Sequence, residues 1–161
     1  MFNQLLPPRI DSAYRGHKLA LWLFALVLAF RIAQSLVVIF GGSSIVTSAD
    51  GIPLDTFTLA GAQTVVALWT LLGVTRLFIF LICVLTLLRY RSAIPLMFAL
   101  LLLYYLAAQL SLQFVPVVRT GTPPGPIANM VLLVLTLVGL ALSLWSRSDK
   151  GANRAVPTGA T

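Results

Sequence analysis

Two arginines, Arg31 and Arg76, stand inside long apolar runs and carry the most distinctive chemistry in the sequence. A guanidinium stays charged at physiological pH and presents five donors in a planar fork, which suits carboxylates and phosphates. In hydrocarbon it costs at least roughly 2.5–3.5 kcal/mol on insertion scales, so it requires protein partners, a wet crevice or a bound anion. Gln34 and Ser35 follow Arg31 by three and four residues and share its face of a helix. Arg76 shares a face with Trp69, Gly73 and Cys83, and Gly73 admits close approach of a neighbouring backbone. Tyr105 is continued along one helical face by Gln109 and Gln113, and Thr136 by Gly139 and Ser143. The spacing predicts a mid-depth polar layer of Arg31, Arg76, Tyr105 and Thr136, with Gln34 and Gln109 above it.

No acidic residue falls within an apolar run, because the four aspartates are Asp11, Asp50, Asp55 and Asp149 and there is no glutamate. The imbalance is expected to be met in one of three ways. The arginines bond backbone carbonyls and Gln or Tyr side chains as a packing device. An external anion completes the site: a lipid phosphate, a small carboxylate or phosphate, or a carboxylate of another subunit. Or Asp50 or Asp55 folds down from a loop between the helices.

The remaining inventory excludes much. One Cys, Cys83, supports neither an intrachain disulfide nor a dithiol pair. One His, His17, cannot supply paired haem ligands, and no cluster suits zinc or calcium. No metal or cofactor is expected. Near the basic helix ends only Asp11, His17 and Asp149 could act as acids or bases, and no motif links them. An enzyme is therefore not expected. Cys83 reads as a small apolar residue and His17 as interfacial. Tyr104 and Tyr105 read first as core or lipid-facing aromatics, with Arg–Tyr stacking as the alternative.

These residues must be positioned by membrane elements. Of 161 residues, 59% are hydrophobic and 9% charged, too few charges to cover a soluble core in water. Mean hydropathy is +0.98. A hydrocarbon core of about 30 Å takes roughly 20 apolar residues as a helix, and four stretches qualify: 19–40, 63–88, 93–118 and 127–145. The apolar runs lack the alternation of a transmembrane barrel. The expected fold is all-α, a four-helix transmembrane bundle with outer loops 41–62 and 119–126. Gly41 to Ser44 are expected to end the first span, and Asp55 or Thr58 to cap the second. Arg89 to Ser92 form so short a connector that the second and third helices form an antiparallel hairpin. Pro95 suits a first helical turn, Pro116 suggests a kink or a stop near the end of the third span, and Thr122 to Pro126 suit a tight turn into the last helix. Twelve residues separate Arg31 and Arg76 from the same membrane face, roughly 18 Å, hence mid-depth. Ala25, Ala29 and Ala33 form a small-residue ridge expected to pack within the chain.

Orientation follows from the basic residues. Eight of them (Arg9, Arg15, Lys18, Arg89, Arg91, Arg147, Lys150 and Arg154) fall on one side, against Arg119 alone on the other. Both termini are expected to be cytoplasmic, and the first span is expected to be retained rather than cleaved. Residues 1–18 are expected to form a cytoplasmic segment and 148–161 a disordered cytoplasmic tail. The net charge of +7 is explained by topology rather than nucleic-acid binding. Nine Arg against two Lys hints at a GC-rich bacterial genome and an inner-membrane location. The expected function is that of a non-enzymatic lipid-binding or accessory membrane component. Its expected partners are a membrane lipid, an anionic ligand or membrane protein subunit, or further copies of itself. The alternative is a carrier or channel subunit for an anionic or amphiphilic small molecule, acting as an oligomer.

Overall fold

The computed structural model describes Tyr14 and residues 16–145; most of the N-terminal segment and the tail expectation for 148–161 lie outside the described residues. Among the described residues the protein is helical: α1 (Lys18–Ser48), α2 (Leu59–Arg89), α3 (Ile94–Phe114) and α4 (Pro124–Leu144). All four are long and apolar enough to cross a membrane. Their surfaces carry large exposed hydrophobic side chains throughout, from Leu19 to Trp145, the pattern expected of an integral membrane protein.

The helix starts follow local chemistry. His17 Nδ1 accepts from the Leu19 amide at 3.2 Å and caps α1. Thr58 Oγ1 accepts from the Gly61 amide at 3.2 Å and caps α2, one of the two expected caps. Pro95 lies in the first turn of α3, where a missing N–H costs nothing.

Several ends differ from expectation. The helix of α1 kinks at Gly42, whose φ of 53° and ψ of −139° are open to glycine, and then resumes to Ser48. There Ser44, Thr47 and Ser48 turn their hydroxyls back onto carbonyls one turn earlier, so the Gly–Ser run bends the helix rather than ending it. α2 starts four residues before position 63. α3 stops at Phe114, short of position 118 but as a stop at Pro116 implies, because the proline ring disfavours helical backbone in the residue preceding it. α4 begins at Pro124, because prolines fit a first turn as well as a loop.

The helices are not arranged in chain order. α1 lies between α2 and α4, α3 packs on α4, and α2 and α3 touch little beyond their short connector. The expected hairpin holds only at its closed end, where a short 3-10 turn (Arg91–Ala93) joins the helices. The core fills this connector half: Ala20, Phe24, Leu28, Phe80, Cys83, Ile94, Phe98 and Leu101 form one buried cluster. Phe24 and Phe98 meet edge to face, with centroids 4.7 Å apart, a geometry worth about 0.5–1.5 kcal/mol beyond burial. Gly139 on α4 faces the Phe98 ring so closely that a Cβ there would overlap it.

Gly73 lets α1 approach as expected, since a Cβ there would lie 3.0 Å from side-chain atoms of Val38 and Ile39. The alanine ridge packs within the chain only at its start: Ala25 is half-buried, whereas Ala29 and Ala33 are exposed, and α1 buries Ala20, Phe24, Val27, Leu28 and Ser35 instead. The larger side chains face the neighbouring helices, which leaves Ala29 and Ala33 on the outside.

At the opposite end the two long loops are knitted together. The Thr120 amide donates to Gly51 O at 2.8 Å, and the Gly125 amide to Ala49 O at 2.9 Å. Tyr14 packs against the core ahead of α1. Burial pushes its phenol up to about 12.

Candidate functional site

Arg31 and Arg76 both sit midway along their helices, on α1 and α2, and both are partly buried. Arg31 Nη1 donates to Asn129 Oδ1 on α4 at 2.7 Å. Ser35, one turn on, donates its hydroxyl to the Arg31 carbonyl at 2.9 Å. Arg76 Nε donates to the hydroxyl of Tyr104 on α3 at 3.1 Å. Each arginine thus links its own helix to another, α1 to α4 and α2 to α3.

Beside Arg31 is a cavity of about 10 Å³, lined by Arg31, Tyr104, Tyr105 and Thr136 and by apolar side chains that include Val27, Phe80 and Leu101. That volume suits one water and no larger anion. The Thr136 hydroxyl is buried and donates to Leu132 O at 2.6 Å, leaving its oxygen as a further acceptor. Tyr105 OH accepts from Gln109 Nε2 at 3.3 Å.

The predicted polar layer is therefore drawn together for the most part. Arg31, Tyr105 and Thr136 share the cavity, and Arg76 joins it through Tyr104. Gln109 is attached through Tyr105 but exposed, and Gln34 is half-buried outside the cavity lining. Two participants differ from expectation. Tyr104, read as core or lipid-facing, accepts the Arg76 hydrogen bond. Asn129 was not singled out, although the stripe Thr136, Gly139 and Ser143, extended back seven residues, reaches it on the same face of α4.

The loop aspartates do not pair with the arginines. Asp50 Oδ2 instead accepts from the Trp69 indole Nε1 at 2.8 Å, and Asp55 is exposed in the loop's 3-10 turn. Trp69 lies two turns nearer the loop end of α2 than Arg76, and its indole satisfies the carboxylate while Asp50 stays half-buried. Among the described residues the hydrogen-bond partners of the two guanidiniums are thus neutral oxygens, an amide and a phenol.

Cys83 is buried in the core cluster, and among the described residues no three His, Cys, Asp or Glu side chains gather as metal ligands. The layer holds cationic donors and neutral acceptors. It can recognise an anion or cross-link helices. No protein family, no curated protein and no solved structure matches the chain.

Proposed function

We propose that this is a multi-pass integral membrane protein with both termini cytoplasmic, acting as a non-enzymatic accessory component that binds an anionic partner within the bilayer. The partner is a lipid or another membrane subunit, and Arg31 and Arg76 are the recognition charges. One observation carries the reading: two mid-span guanidiniums whose hydrogen bonds go to Asn129 and Tyr104, leaving their charge uncompensated among the described residues. Intramembrane charges of this kind mark function by default. The orientation is supported by the eight basic residues on one side. The bacterial inner membrane fits the arginine bias.

The carrier alternative has less support. The cavity beside Arg31, about 10 Å³, offers no route through one protomer, so transport would have to run between protomers.

Native mass spectrometry from mild detergent, with the Arg31→Leu/Arg76→Leu variant alongside, tests the reading. The expected result is a stoichiometric lipid or foreign-subunit adduct on the wild type that the variant loses. Identical bare protein in both samples would make the arginines architectural and overturn it.

A further inference from the structure

Along α2, residues Val65, Trp69, Leu72, Arg76, Ile79, Cys83 and Thr86 recur at alternating spacings of four and three. That is the repeat of a seam that packs along another helix. Its connector half is covered: Cys83 and Thr86 are buried, and Ile79 packs against the core. Its other half is covered only in part: Val65 and Trp69 are half-buried, with the Trp69 indole tied to Asp50, while Leu68, Leu72 and Thr75 are exposed. Ahead of Arg76, which does not itself line it, Val65, Leu68, Trp69, Leu71, Leu72 and Thr75 line an open groove of about 420 Å³ walled by α2 alone. α3 meets α2 little beyond the connector, and every residue of α3 from Leu106 to Ser111 is exposed, so α3 does not close this half. Arg76 stands where full cover ends. Its Nε is held by Tyr104, and among the described residues its Nη groups have no partner.

We infer that this open half-seam seats one transmembrane helix of a different protein, whose mid-depth Asp or Glu carboxylate bonds the free Nη groups of Arg76. The inference rests on the proposed function and specifies its partner. A carboxylate there would meet the guanidinium fork two atoms to two, and an apolar helix face would complete the seam. A second copy of this chain does not serve, because Asp11, Asp50, Asp55 and Asp149 all lie outside its spans. A phospholipid fits this seam less well than a helix, because its phosphate sits at the headgroup level, about 15 Å from the bilayer centre, and would have to be drawn inward to meet Arg76.

The test uses a synthetic, dansyl-labelled, Leu-rich peptide of about 20 residues with one central Asp, against the same peptide with a central Leu. Both are mixed with the full chain in phosphatidylcholine vesicles. Energy transfer is read from Trp69 in a Trp22→Phe/Trp145→Phe background. The Asp peptide is expected to reach half-maximal transfer at a roughly tenfold lower peptide-to-lipid ratio, as interhelical polar pairs in bilayers allow. Arg76→Leu should abolish that difference. Val65→Phe/Thr75→Phe, which narrows the groove and leaves Arg76 in place, should weaken both peptides. Equal association of the two peptides with the unaltered seam overturns the inference, as does a preference that survives Arg76→Leu. A lipid adduct lost on removing the arginines, combined with equal peptide association, removes this partner and leaves the broader reading. Absence of both effects removes both.

Discussion

A guanidinium held among apolar helices is only as stable as the acceptors within its reach. Arg31 has one such acceptor on a neighbouring helix, Asn129 Oδ1 at 2.7 Å, and the two side chains depend on each other unequally. Asn129→Leu leaves a partly buried charge without its acceptor and is expected to cost about 2 kcal/mol. Arg31→Leu removes the charge itself and is expected to be neutral or stabilising, as replacement of buried ionic groups by apolar ones often is. The double variant should resemble Arg31→Leu, so the Asn129 cost disappears once the guanidinium is gone. Unfolding in mixed detergent micelles, followed by circular dichroism on all four proteins, measures the cycle. Additive costs would show that the bond contributes nothing. The arginines were legible in the sequence because a charge inside an apolar run stands out. Asn129 was not, since it falls three residues after Pro126, in a stretch that reads as a helix start with its polar residue at the margin.

At the scale of the helix, small residues set which faces close. On α4 the buried stripe is Leu132, Thr136, Gly139 and Ser143, at the four–three–four spacing the sequence shows. Gly139 receives the edge of Phe98, which itself meets Phe24, so one missing Cβ holds three helices together. Gly139→Ala gains up to about 1 kcal/mol in helix propensity. It also forces the Phe98 ring out of a packed site, an overpacking cost of about 1–3 kcal/mol. A net loss of stability is expected from the same unfolding assay, and Gly139→Ala/Phe98→Leu should recover most of it. A stabilised single variant would mean that the ring relaxes freely. Polar stripes were readable because period and residue type agree. Helix ends were less so: Gly41 and Gly42 signal a stop, but the hydroxyls of Ser44, Thr47 and Ser48 bond the backbone again beyond the kink.

For the molecule as a whole, sequence separation misleads about neighbours. A connector as short as Tyr90 to Ala93 forces α2 and α3 together at one end and says nothing about the other. Beyond it, Phe24, Phe80 and Phe98 hold the connector half. The far ends of α1 and α4 are tied through Gly51, Ala49, Thr120 and Gly125, and Asp50 ties α2 to the same knot through Trp69. α3 is the one helix whose far half shares in neither arrangement. Four spans and the arginine layer were visible from composition and spacing; this order of neighbours was not, because it depends on loop hydrogen bonds between residues about 70 apart in the chain. The consequence is measurable by nitroxide accessibility to oxygen in vesicles. Labels at Leu72 on α2 and Ala108 on α3 should both show high oxygen collision rates, as their exposure requires. Labels replacing Phe80 and Leu101, at the packed end of the same pair, should be shielded. A closed hairpin would shield all four, because its seam would be filled from Thr86 to Val65. Equal shielding would therefore place α3 against α2 along its whole length, and the open seam ahead of Arg76 would not exist in the bilayer.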